Sequence, residues 1–349
     1  MKVRLLRGDQ LFDVGESGEP TPVGTVLPAK EHSMNKDSTL YWSHLAAYEA
    51  CPQKFLWMKG WDGIDFGHGP GNRMPRPEQD SKHHAVMGIA VQYAVEKMYN
   101  DELYRDPKNL LRVMLALGEK EFFRQESKPW NKIDYGNARM SREDMLDVVR
   151  SGIEGYLHTM KAHRFLGPYA KAEVNIVGWI DKWNAIGGRA DTIVRRDDTG
   201  ITIIDGKNTK WKMRYTDPDQ LRWYALLFKL AYRQMPDRLA YVWFRFPHGM
   251  KNHDEDGSEI TETGVEWIDF DEDDLKGLAQ RALDAKKAMW KGKFDPTPTP
   301  KTCRFCDFEP ICEARQEQRK ANAAKRGGGR RRREVKEITE GSGFVDLVL

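Results

Sequence analysis

The chain has 349 residues, 40% of them hydrophobic and 31% charged, and its 56 Lys and Arg against 53 Asp and Glu leave a formal net charge of +3. That apolar share is enough for a buried core, which excludes a wholly disordered chain. No apolar run approaches the roughly 18 residues that span a bilayer, and the N-terminal segment lacks the apolar stretch of a secretory signal, so the expected compartment is the cytoplasm.

Residues 1–37 are rich in Gly, Pro and charge without periodicity, and read as a flexible N-terminal arm. Ser38 is placed to cap a helix reaching about Met58, with Leu45, Tyr48 and Phe55 among its apolar positions. Residues 62–80 are loop, dense in Gly and Pro. Helices follow from about Ser81 to Asn100, near 108–126 and over 141–163, and the pattern breaks around Pro168. From Ala170 the segments shorten: 171–178, 188–196 and 201–207 are strand-like, the last two separated by the turn signal Asp197-Asp198-Thr199-Gly200. A helix fits 217–233, strands fit 239–246 and 264–270, and a helix fits 272–291. A Pro/Thr linker then leads into a cysteine cluster. Helices followed by a mixed sheet with an inserted helix predict one α/β domain over 38–318, with a basic, disordered tail over 319–349.

Charge is segregated along the chain. From His253 to Asp274 there are eleven acids and no Lys or Arg, which reads as a solvated loop and helix start. From Arg319 to Lys336 there are nine basic residues and one acid, Glu334, a tail able to neutralise phosphates or simply to keep the chain soluble.

The strand Ile201-Thr-Ile-Ile-Asp205-Gly206-Lys207 ends in charge. Period two puts Ile201, Ile203, Asp205 and Lys207 on one face, where an acid and an ammonium are costly without a partner or a task. The preceding strand carries Asp191. If the hairpin loop is 197–199, Asp191 faces Asp205; if it is 198–200, Asp191 faces Lys207 and Asp205 is its diagonal neighbour. Either way two carboxylates and a lysine meet. That set suits a hard divalent cation, Mg²⁺ or Mn²⁺, and phosphodiester hydrolysis; the plainer reading is a cross-strand salt bridge.

Asp191, Asp205 and Lys207 have the D-x13-D-x-K spacing of PD-(D/E)XK nucleases. Gln220-Leu-Arg-Trp-Tyr224 resembles the Q-x-x-x-Y element of the RecB-like branch, and Leu40-Tyr-Trp-Ser43 through Glu49-Ala-Cys51-Pro52 its S-x7-C-P helix. With Cys303-x2-Cys306-x5-Cys312 at the other end, the chain is similar to the iron–sulfur RecB-family exonucleases, among them the CRISPR-associated Fe–S exonucleases and AddB-type nuclease domains.

That resemblance implies a restriction-endonuclease-like mixed sheet flanked by helices, with an N-terminal helical region and a C-terminal Fe–S segment. It implies a metal-dependent DNA exonuclease acting on single strands or ends without sequence preference, or a weakly active DNA-binding module of the same fold. A recombination or CRISPR-adaptation partner follows from the same likeness. Asp191, Asp205 and the Gly206 carbonyl are the implied metal ligands. Lys207 is the residue that orients water, and Gln220 and Tyr224 are the positioning pair. Cys51, Cys303, Cys306 and Cys312 are the implied ligands of a structural [4Fe–4S] cluster, with zinc as the rival, because C-x2-C-x5-C is not a zinc-ribbon spacing. The family's G-x-x-x-H-x-x-x-E helix corresponds to Gly88 through Glu96, with Gln92 at the His position; its amide oxygen is expected to ligate the metal directly or through water, and His84 is a possible substitute. Glu173 is a candidate supporting carboxylate. Arg189, Arg195 and Arg196 are candidate phosphate contacts, and Trp130, Trp179, Trp183, Trp211 and Trp223 candidate stacking surfaces for single strands.

Overall fold

A computed structural model describes residues 3–7, 10–14, 20–25, 39–59, 83–128, 131, 133–209, 217–246, 264–304 and 306–329. Ser38, the loop 62–80, Trp130, Trp211 and the tail beyond 329 lie outside them.

In chain order the strands are β1 (Val3–Arg7), β2 (Gln10–Val14), β3 (Pro20–Thr25) and β4 (Leu40–Tyr41). Helices α1 (Trp42–Ala50), α2 (Pro52–Lys59), α3 (His83–Asn100), α4 (Leu110–Glu126), α5 (Tyr135–Ala138) and α6 (Arg142–Ala162) follow. Then come β5 (Ala170–Trp179), β6 (Ala185–Arg196), β7 (Gly200–Lys207), α7 (Pro218–Tyr232), β8 (Arg238–Trp243), β9 (Val265–Ile268), α8 (Glu272–Trp290), α9 (Pro300–Cys303) and α10 (Glu313–Gly329).

From Ser81 to Lys286 these elements lie close to the expected ones, and three places differ. Residues 1–37, expected as an arm, hold an antiparallel three-stranded sheet, β1-β2-β3. The single helix expected through Met58 is broken at Cys51, because Pro52 lacks an N–H and fits the first turn of a new helix. Helix α10 carries on through residues 319–329 of the expected disordered tail.

The chain divides into two compact units, Met1–Leu45 with Ser81–Lys286 and Ala46–Asp80 with Lys287–Leu349, where one domain over 38–318 was expected. The first holds a mixed sheet of order β4-β6-β7-β8-β9, with β5 on the other side of β6. Antiparallel β6 and β7 form a hairpin, and α7 makes the crossover to parallel β8. Their ladder runs from Arg196↔Gly200 to Thr192↔Ile204, so the loop is 197–199 and the register is the one that sets Asp191 against Asp205. Beyond Thr192 the two strands part, and β4 pairs in parallel with Ile186 and Gly187 farther along β6.

Helices cover both faces of the sheet. Val194, Ile204, Ala240, Val242 and Phe244 pack into one apolar core with α3, α4 and α6. On the opposite face lies α7, started by an Asp217 cap with Pro218 in its first turn. It sits at backbone distance from β5 and β6: a Cβ at Gly178 would come within 2.7 Å of Leu230, and one at Gly188 within 2.7 Å of Leu227 and 3.1 Å of Tyr224.

In the second unit, Tyr48, Phe55 and Phe294 pack ring on ring at 5.8–6.3 Å. Tyr48 Oη donates to the Lys293 carbonyl at 2.7 Å and Thr297 Oγ1 to the Ala50 carbonyl at 3.0 Å. Two segments far apart in sequence are thereby joined without any bound group.

Lys286, at the boundary of the first unit in α8, is 2% exposed and donates to the Ala185 carbonyl at 3.2 Å. Burial lowers its ammonium pKa to about 8, against the pull of Asp181. A folded pKa below the unfolded one penalises folding at all pH values below about 8, and the penalty disappears as pH rises toward the unfolded value. Lys286→Met is therefore expected to add about 2 kcal/mol of stability at pH 7 in urea unfolding, and much less at pH 10.

Candidate active site

Asp205 is the most buried member of the charged group, at 2% exposure near the carboxyl end of β7. Its Oδ1 accepts from Gln220 Nε2 at 2.8 Å. Its Oδ2 is in contact with the Lys207 ammonium and accepts no hydrogen bond from any other described group. Gln220 reaches both ends of this pair, because its Oε1 accepts from Lys207 Nζ at 3.1 Å while its Nε2 also lies 3.4 Å from the Tyr224 hydroxyl. Gln220 and Tyr224 stand one turn apart on α7. The Q-x-x-x-Y spacing thus orders Lys207 and Asp205 by a bifurcated amide. Lys207 Nζ also lies 5.2 Å over the ring of Tyr241, whose hydroxyl donates to the Asp217 carbonyl at 2.6 Å.

Across the parting strands, Asp191 Oδ2 accepts from the Gly206 N–H at 2.9 Å. Burial, and then the charge of Asp205, hold the Asp191 carboxyl well above the usual carboxylate range; the Gly206 N–H and Lys207 oppose this. Asp205 is pushed up by burial and pulled back by Lys207. Two buried carboxylates whose charges disfavour one another, one of them with a buried oxygen that accepts no hydrogen bond, fit a divalent cation held by oxygen. Asp191, Asp205 and the Gly206 carbonyl are the groups that would hold it.

Glu173 is the residue that spacing undervalued. It does not open its strand but lies inside β5, where the ladder passes from Ala172↔Thr192 to Val174↔Ala190 and leaves out Glu173 and Asp191. Its φ is +55°, a left-handed conformation costly for a non-glycine residue and concentrated at functional sites. Glu173 Oε1 accepts from Gln92 Nε2 at 2.6 Å, and Oε2 lies 2.5 Å from Arg189 Nε. Its charge also raises Asp191. Gln92, expected to ligate the metal, thus meets the site through a third carboxylate, with its amide nitrogen committed there. A strand-interrupting acid opposite Asp191 leaves no mark in a pattern read by alternation.

The other candidates separate cleanly. His84 is exposed beside His83, two turns from Gln92. Arg196 is spent on the His163 and Arg164 carbonyls and on Asp198, and Arg195 donates to Gln234, so both serve the hairpin end of β6. Trp223 is fully buried and donates to the Gly187 carbonyl at 3.0 Å, Trp179 is half-buried, and Trp183 is exposed.

The profile of the PD-(D/E)XK nuclease superfamily matches residues 41–313. The chain belongs to that superfamily. No curated protein matches it. One solved structure, titled "Crystal structure of SSO0001", is similar at 17% identity, covering 68% of this chain and 88% of its own, with a TM-score of 0.30. Nuclease chemistry with DNA as substrate follows from membership. No helix among the described residues is long and apolar enough to cross a membrane.

In the nuclease's second unit, all four cysteines line one cavity with Gln53, Lys54 and Trp57. They are free thiols, and Cys306 is raised by burial and by the nearby Cys51 and Cys303. Cys312 Sγ lies 3.8 Å from Gln53 Oε1. The donor set is that of a soft metal or an iron–sulfur cluster. The space is not: the cavity measures about 20 Å³, and no group of three or more His, Cys, Asp or Glu among the described residues is gathered as metal ligands.

Because Gln220 serves Lys207 and Asp205 at once, Gln220→Leu is expected to lower kcat roughly 10–100-fold with little change in KM. Combined with Lys207→Ala, the loss should fall well short of the product of the two, which a double-mutant cycle on DNA cleavage measures.

Proposed function

We propose that the nuclease is a divalent-metal-dependent DNA exonuclease of the RecB-like branch, acting on single strands or DNA ends without base recognition. The observation that carries this reading is the convergence of Asp191, Asp205 and Lys207 under one Gln220 clamp. A divalent cation bound there supplies positive charge against the charge developing on the phosphate. Lys207, fixed by Gln220 Oε1, orients the attacking water. Tyr224 holds the amide of Gln220 from behind, and Gln92 keeps Glu173 turned toward Asp191.

The test is release of short products from single-stranded DNA labelled at either end, in Mg²⁺ or Mn²⁺. Asp205→Ala and Lys207→Ala should each lose at least about a thousandfold in kcat. Wild type that binds this DNA and leaves it whole would establish the alternative, a binding module in which Gln92 replaces the family's histidine.

The cysteine chemistry supports a structural [4Fe–4S] cluster on Cys51, Cys303, Cys306 and Cys312, whose insertion requires the cavity to widen. Protein purified without oxygen should be brown, with iron and sulfide in equal amounts, and Cys306→Ser should be colourless. A colourless wild type carrying one zinc per chain sinks the cluster.

A further inference from the structure

At the carboxyl ends of β7 and β8, just past Lys207, three donors have nothing to donate to. The Trp243 indole N–H, Arg245 Nε and Asn208 Nδ2 are buried atoms without a hydrogen-bond partner. Trp243 is only 2% exposed. One hydrogen bond gathers the three residues. The Phe244 N–H donates to the Lys207 carbonyl at 3.0 Å, so Asn208 follows the acceptor residue while Trp243 and Arg245 flank the donor. Trp243 is the register partner of Lys207, and its ring lies 6.1 Å from that of Tyr241.

Arg245 has no acidic partner among the described residues, and burial acts on its guanidinium without a neighbouring carboxylate to offset it. A partly buried cation with no counter-anion is costly, and so is a buried indole N–H left unmade. An anionic oxygen relieves both. The rim is also where ligands of α/β sheets enter, beyond the carboxyl ends of parallel strands. The sequence then continues as Lys210-Trp-Lys-Met-Arg214, with three more cations in five residues.

The geometry points to a phosphate-binding subsite at this rim, in which Arg245, with the Trp243 N–H and the Asn208 amide beside it, holds a backbone phosphate neighbouring the one attacked at Asp205. The identity of the phosphate's owner rests on the nuclease reading; the anion site itself does not. This contact precedes chemistry and persists through it, so its loss is a loss of uniform binding.

Arg245→Gln should raise KM for single-stranded DNA roughly tenfold with kcat within about twofold, and Trp243→Phe, which keeps the ring and removes the N–H, about fivefold. A single methylphosphonate at the neighbouring phosphate should cost wild type a similar factor and Arg245→Gln nothing further. Independently of cleavage, inorganic phosphate should raise the Tm of wild type and of Asp205→Asn, but not that of Arg245→Gln. KM unchanged in Arg245→Gln, or methylphosphonate and substitution losses that simply multiply, overturns the subsite. An equal phosphate response in wild type and Arg245→Gln overturns it even if the chain proves not to cut DNA. A fall in Tm with KM unchanged assigns Arg245 to a carboxylate of its own chain, and overturns it too.

Discussion

Two carboxylates, each pushed toward its neutral form by burial and set one strand apart, are the constraint around which the first unit is built. Asp191 and Asp205 repel when both are charged, and little water is left to separate them. The surroundings answer with fixed donors: the Gly206 N–H on Asp191, the Gln220 amide on Asp205 Oδ1, the Lys207 ammonium on Oδ2. Each is delivered by ordinary secondary structure. The hairpin register sets the acids opposite one another, period two keeps Lys207 on the face of Asp205, and the crossover helix returns Gln220 above them. The pair is held ready for a cation rather than assembled by one.

Much of this was legible because the relevant signals are local. The turn at Asp197–Gly200 narrowed the register to two choices, and the ladder through Thr192↔Ile204 selects the shorter loop. The i, i+4 spacing of Gln220 and Tyr224 placed them on one helix face. What escaped notice depends on departures from regularity. Glu173 sits in a left-handed kink that interrupts β5, so alternation gives no hint that it faces the site. Gln92 was assigned by alignment with a histidine, yet a histidine ring and an amide differ in reach and in donors, and here the amide nitrogen serves Glu173. Arg195 and Arg196 were named for nearness in sequence, but about 3.3 Å per residue carries them away from Asp191.

The cysteine unit shows a different limit. Spacing identifies which thiols belong together and says nothing of the room between them. The structure brings all four to one cavity, with a Tyr48–Phe55–Phe294 ring cluster and two side chain-to-backbone hydrogen bonds joining the same two segments. A bound cluster is therefore not the only thing able to hold these segments together, and its removal need not unfold them.

Helix α7 approaches the sheet so closely at Gly178 and Gly188 that no methyl group fits beneath it. The same helix bears Gln220 and Tyr224. The depth at which it beds into β5 and β6 thus sets how far the amide extends over Asp205, a distance fixed by two missing side chains that take no part in the chemistry. Change at either glycine acts as a shim under a lever, tilting the clamp while every charged group keeps its identity.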